Sequence, residues 1–148
     1  MKLLILNGPN LNLLGIREPD IYGRRSYDDL VALIREYAAG VGVEVEFYQS
    51  NHEGDLIDAI HNAYFRRLDG IVFNPGAYTH TSLAIADAVK GVGLPTVEVH
   101  ISDIAQREPI RQISYLRQVA VATVAGLGFD GYCLAIDILT LYRPAVES

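Results

Sequence analysis

The chain has 148 residues, half of them apolar and a fifth charged, with a formal net charge of −6. That is the composition of one ordinary globular domain, and the lack of any Lys/Arg block argues against nucleic acid or an anionic membrane as a partner. No apolar run approaches the roughly 18 residues that a membrane helix needs, and the single cysteine, Cys133, excludes an intrachain disulfide and a zinc-finger spacing.

Apolar runs of strand length alternate with helical patterns along the whole chain. The first six residues are too short for a signal core, and Asn7-Gly8-Pro9-Asn10 interrupts them, so Lys2–Asn7 reads as a buried strand and the expected compartment is the cytoplasm. Ser26 then caps a helix over 27–40, with Asp29 three residues on as a partial capping box and Leu30, Ile34, Tyr37 and Ala38 on its buried face. A strand at 43–49 and a helix over 55–67 follow, the latter burying Leu56, Ile60, Ala63 and Tyr64. Next come a strand at Gly70–Asn74, a helix over 81–92 with Thr79 or Thr81 as its cap, and a strand at Thr96–His100. A short helix over 108–115, a fifth strand at 119–125 and a closing helix over 129–141 complete the series. Five strands each followed by helix predict a single α/β domain over 1–148, a three-layer flavodoxin-like fold whose five-stranded parallel sheet has the order 2-1-3-4-5. Cys133 lies in an apolar stretch and reads as a small core residue.

The unusual residues gather at three strand ends. Asn7-Gly8-Pro9-Asn10 follows the first strand, Asn74-Pro75-Gly76 the third, and Glu98-Val99-His100-Ile101-Ser102 ends the fourth. In the expected order these strands are neighbours, and ligands bind at the carboxyl ends of such sheets. Glu98 and His100 share one face of a strand. A carboxylate there can orient an imidazole and favour its protonated form, the state of a general acid, although a simple salt-linked pair is the other reading. The segment 15–25 carries two glycines and Arg17, Arg24 and Arg25, as either a lid or a solvated loop would. Tyr22 within it would need roughly 4 kcal/mol of help to act as a base, since a free phenol ionises near pH 10, and Arg17 is the nearby cation that could supply it. Arg107 and Arg111, four apart, add positive charge suited to an anionic ligand, and the Ile101 and Ser102 amides could hold a carboxylate. Asp87 reads as a solvated mid-helix residue, and His52 and His61 as structural or surface residues.

Four segments, NGPNLNLLGIREPDIYG at 7–23, NPGAYTHTS at 74–82, EVHIS at 98–102 and REPIRQISY at 107–115, together resemble the type II 3-dehydroquinate dehydratases over about residues 2–142. The resemblance implies a lyase that removes water from 3-dehydroquinate by anti elimination through an enolate, in aromatic biosynthesis or alternatively in quinate breakdown, with no cofactor and no metal. It assigns Tyr22 as the base assisted by Arg17, Asn10 as the holder of a water that stabilises the enolate, and His100, oriented by Glu98, as the acid. It gives the substrate carboxylate to Ile101 and Ser102, and contacts to the substrate to Asn74, Gly76, His80, Arg107 and Arg111. Asp87 would reach the site of a neighbouring subunit in a homo-oligomer, a dodecamer built from trimers. Residues 103–106, 109–110 and 112–113 depart from the commoner choices of that family.

The lysine content bears on mechanism independently. Lys2 opens a strand at the end opposite the crevice and Lys90 sits late in a helix, so imine chemistry is not expected. A metal-dependent hydrolase using Glu98, His100 and His80 would leave arginines repelling its metal. A flavodoxin-like binding or signalling module would want a glycine-rich loop or clustered aspartates after the first strand, where Pro9 and Asn10 stand.

Overall fold

Five strands, Lys2–Asn7 (β1), Glu44–Gln49 (β2), Gly70–Asn74 (β3), Thr96–His100 (β4) and Ala122–Ala125 (β5), pair in parallel in the order β2-β1-β3-β4-β5. The helices are Pro19–Tyr22 (α1), Tyr27–Gly40 (α2), Glu53–Phe65 (α3), Leu83–Val92 (α4) and Asp130–Leu141 (α5). The structure, a computed structural model, describes residues 1–145; residues 146–148 and the side chain of Tyr22 lie outside what it describes. The expected flavodoxin-like single domain is the one observed.

The two-residue period of the strands builds two cores. Leu3 and Ile5 of β1 with Val97 and Val99 of β4 pack against Ile34 of α2 and Ile136 of α5. Leu4 and Leu6 with Ile71 and Phe73 of β3 face the other way, against Ile60 of α3 and Ile85 of α4. Full burial of a side chain such as Ile5 or Ile60 stabilises the fold by about 1.5–3 kcal/mol. Glu98 is a wholly buried carboxylate between these cores, and its neighbours across the sheet are Phe73 and Thr123.

Side-chain caps set the starts of two helices, α2 and α4. The capping box of α2 is complete: Ser26 Oγ accepts from the Asp29 amide and the Asp29 carboxylate accepts from the Ser26 amide. Other boundaries differ from expectation. The cap of α4 is Ser82, which accepts from the Ile85 amide, because the Thr79 hydroxyl donates instead to the Gly76 carbonyl. Helix α3 starts at Glu53 and ends at Phe65, where Arg67 takes a left-handed backbone, φ 61°. Tyr64 is half exposed and packs edge-on against Phe65 at 5.3 Å rather than entering the core.

The expected helix over 108–115 shrinks to a 3-10 turn at Pro109–Arg111. Its remaining length is held by tertiary partners, since the Tyr115 amide donates to the Thr79 carbonyl and Ser114 turns inward to Glu98. Likewise β5 begins only at Ala122, because the Val119 and Ala120 amides close a turn on the Leu116 carbonyl. The segment after β1 folds back on itself: a Cβ at Gly15 would lie 2.8 Å from the Arg24 carbonyl oxygen. Between those ends the chain makes the single helical turn α1. Cys133 is partly exposed at the edge of the core, and burial pushes its thiol up from the ordinary value.

Candidate active site

The carboxyl ends of β1, β3 and β4 open into one crevice, and its framework is two loops pressed backbone to backbone. A Cβ on Gly8 would meet the Pro75 carbonyl oxygen at 2.4 Å, and one on Gly76 the Pro9 carbonyl oxygen at 2.9 Å, so neither loop could close on the other with a larger residue. The Gly8 amide donates to the Asn74 carbonyl at 2.8 Å. Asn10 sits at φ 68°, a left-handed conformation that asparagine tolerates, and its amide donates to Asn51 Oδ1 at 3.0 Å. Gln49 donates from Nε2 to the same Asn51 oxygen and to the Gly8 carbonyl, both at 3.1 Å. The Asn10 side chain is thereby offered to the crevice from a fixed backbone.

Beneath the loops lies a buried polar chain. Tyr132 of α5, fully buried, donates to Asn7 Oδ1 at 2.6 Å and accepts from Asn74 Nδ2 at 3.0 Å. Asn74 Oδ1 accepts the Gly76 amide at 3.2 Å, and Asn7 Nδ2 donates to the Tyr27 hydroxyl at 3.4 Å. Burial pushes both the Tyr132 and Tyr27 phenols above their ordinary values, so these tyrosines stay neutral and act as hydrogen-bonding groups rather than bases.

A hydrogen-bonded imidazole–carboxylate pair lies at the end of β4. His100 Nε2–H donates to Glu98 Oε1 at 2.7 Å, and Glu98 is wholly buried. The same Oε1 accepts from Ser114 Oγ at 2.5 Å, Oε2 accepts from Thr123 Oγ1 at 3.0 Å, and Arg117 Nε lies 3.9 Å from Oε2. Burial would push the Glu98 carboxyl up, but the hydrogen bond and charge of His100, then the two hydroxyls, bring it below the ordinary carboxylate value. Glu98 is thus an ionised anchor, and the imidazole it fixes presents Nδ1 as its other ring nitrogen. Across the opening His80 Nδ1–H donates to the Ile113 carbonyl at 2.7 Å. Burial first, then the charges of His100 and Arg111, oppose the Ile113 hydrogen bond and lower the pKa of His80, which leaves its Nε2 an acceptor.

Of the residues singled out in the sequence, Asn10, Arg17, Asn74, Gly76, His80, His100, Ile101, Ser102, Arg107 and Arg111 all line this one crevice, with Leu11, Leu14 and Ile104 as its apolar wall. Arg111 is paired with Glu108 at 2.5 Å and Arg17 with Glu18 at 3.7 Å. Glu98 supports the crevice from below. Asp87 does not join it: it is exposed on α4, beside a separate hollow formed with His61, Tyr64 and Phe65. The assignment of Tyr22 as base falls on a side chain outside the described residues. An imidazole fixed by a buried carboxylate, together with several arginines around one crevice, suits proton transfer on a small anion.

The family model for dehydroquinase class II matches residues 1–140. The chain belongs to the dehydroquinase class II family. Among its relatives, a 3-dehydroquinate dehydratase of Corynebacterium glutamicum is 58% identical over 138 residues, covering 93% of this chain and 94% of that protein. Another of Caldicellulosiruptor bescii is 53% identical over 138 residues, covering 93% and 95%. A solved type II dehydroquinase from Butyrivibrio crossotus superposes with a TM-score of 0.93 at 53% identity, over 95% of this chain and 97% of that one.

Within this dehydroquinase framework the residues that support the site are weakly marked in the sequence. Ser114 stands inside the fourth matching segment and Asn7 opens the first, so a signal existed without a role attached to it. Thr123 and Tyr132 carried none. One sits opposite Glu98 only through the register of β4 with β5, and the other reaches Asn7 across 125 residues of chain.

Proposed function

We propose that this dehydroquinase-family enzyme dehydrates 3-dehydroquinate to 3-dehydroshikimate by anti elimination through an enolate. The observation that carries the reading is the His100–Glu98 pair, buried at the floor of a crevice lined by arginines, in a chain of this family. Tyr22, as phenolate stabilised by Arg17, removes the proton from the carbon beside the ketone, and the electron pair passes to the ketone oxygen as an enolate. A water held by Asn10 stabilises that enolate. Collapse of the enolate expels the hydroxyl on the neighbouring carbon, which takes a proton from His100 and leaves as water. The Ile101 and Ser102 amides receive the substrate carboxylate, while Asn74, Gly76, His80 and Arg111 meet the ring and its hydroxyls. A neutral His80 with Nε2 as acceptor favours that role.

Parts of the enzyme beyond the pair have roles as well. Segment 15–25 closes as a lid that brings Arg17 and Tyr22 over the ring, with Arg107 supporting the lid tyrosine or the anion. Asp87, exposed on α4, serves the crevice of a neighbouring subunit in a trimer, four of which form a dodecamer. The enzyme acts in the cytoplasm and in aromatic biosynthesis, the same chemistry serving quinate breakdown.

The test is ultraviolet absorbance on adding 3-dehydroquinate to pure protein, with chelator and with borohydride. A rising absorbance from the conjugated product, unchanged by either reagent, is expected. A flat trace from folded protein refutes the activity, and loss of signal with borohydride or chelator refutes the mechanism.

A further inference from the structure

The Glu98 carboxylate has more partners than orienting one imidazole requires, and they come from three parts of the chain. His100 is on its own strand, Thr123 is opposite it on β5, and Ser114 arrives from the loop beyond the Pro109–Arg111 turn. The two hydroxyls divide the carboxylate between them, Ser114 on Oε1 and Thr123 on Oε2. Ser114 Oγ is itself fixed, since it accepts the Arg117 amide at 3.1 Å while donating to Glu98. A donor to a buried carboxylate stabilises its ionised form more than a neutral hydrogen bond would.

Ser114 has a second connection that Thr123 lacks. It closes the segment that carries Arg107 and Arg111 over the crevice. That segment is also tied at Ile113, whose carbonyl accepts from His80, and at Tyr115, whose amide donates to Thr79. Ser114 lies between these two ties and is the point at which the segment meets the acid's anchor.

We propose that Ser114 and Thr123 are positioning residues that together hold the Glu98 carboxylate ionised and aligned for His100, and that Ser114 also fixes the arginine-bearing segment in place over the substrate. This rests on the reading of His100 as the general acid. Among the described residues, the other charged or titratable groups facing the pair are Arg117 beside Oε2, and His80, Arg111, Arg107 and Arg17 around the crevice. All but the neutral His80 are cations that remain in the variants below, so a change in Glu98 titration follows from the hydroxyl removed.

The decisive variants are Thr123→Val, which keeps shape and removes the donor, and Ser114→Ala, with Thr123→Ser as the conservative control. Glu98 is followed by carbon-13 NMR in protein labelled at the glutamate carboxyl carbon, with Glu98→Gln identifying the signal. Each hydroxyl removed is expected to raise the Glu98 titration by about one pH unit, a tenfold change in its protonation equilibrium. With 3-dehydroquinate, Thr123→Val is expected to lower kcat about tenfold and leave KM within about twofold, whereas Ser114→Ala lowers kcat and raises KM about fivefold. Thr123→Ser should restore both kcat and the titration. An unchanged Glu98 titration in the folded variants overturns the proposal, as does an equal KM effect in the two. If Ser114→Ala does not fold, Thr123→Val decides the matter alone. Wild-type protein inert toward 3-dehydroquinate would refute the proposed function, and the Glu98 titration would still decide the role of the hydroxyls.

Discussion

A single hydroxyl, that of Tyr132, joins the two asparagines that end β1 and β3. It donates to one and accepts from the other, at a position with no access to water. Tyr132→Phe leaves Asn7 Oδ1 and one Asn74 N–H without partners in the interior, a loss of about 1–3 kcal/mol for a buried group left unsatisfied. We predict a lower urea midpoint by that amount. A KM for 3-dehydroquinate raised about fivefold is also expected, with kcat less affected, because the Asn74 amide at the crevice loses the partner that fixes its orientation. Unchanged stability and unchanged KM together would show that the network is incidental. The residue types at 7, 74 and 132 are individually unremarkable in sequence, and only their convergence gives them this weight.

Among the elements, α2 shows how far local rules carry. Its capping box, its acidic first turn at Asp28 and Asp29 and the buried stripe of Leu30, Ile34 and Ala38 are all encoded within a few residues. Ser26→Ala is expected to destabilise the protein by about 1 kcal/mol. It should leave kcat and KM unchanged, because the cap lies outside the crevice; thermal melts and steady-state kinetics check both halves. The segment 108–115 shows the opposite case. Its periodicity suits a helix, yet the amide of Tyr115 and the hydroxyl of Ser114 are held by Thr79 and Glu98, and only one turn survives. A local pattern yields where distant partners offer stronger hydrogen bonds to the same groups.

For the whole molecule the shifted groups predict a stability plateau bounded on both sides. Glu98 is held below its ordinary value of 4.5, so its contribution is complete above that value and is lost as pH falls through the lower folded one. His80 is held below 6.5, so the unfolded chain takes up its proton first and stability begins to decline below that pH. Tyr27, Tyr37 and Tyr132 are all raised from 10.0, and Tyr37, bound to Asp137 at 2.5 Å between α2 and α5, is pushed up to about 12. Their contribution is complete below pH 10 and is lost as pH rises through the folded values. Urea midpoints measured across the pH range should therefore be flat near neutrality, falling below about 6.5 and above about 10. A midpoint that rose on acidification would contradict the assigned charge state of Glu98.

The sequence by itself determined the strands, their parallel order and the crevice where ten of the thirteen singled-out residues gather. The strands and their order follow from periodicities of two and 3.6 residues, the crevice from polar loops at neighbouring strand ends, and the set of site residues from the family resemblance of four segments. Tertiary structure alone decided what holds the site. Thr123 faces Glu98 through strand register, Tyr132 spans Asn7 and Asn74 through the packing of α5, and Tyr64 lies half exposed against Phe65 while Leu56, Ile60 and Ala63 of the same helix are buried. Periodicity reports which way a side chain faces. The partner it meets is set by register and helix packing between segments far apart in the chain.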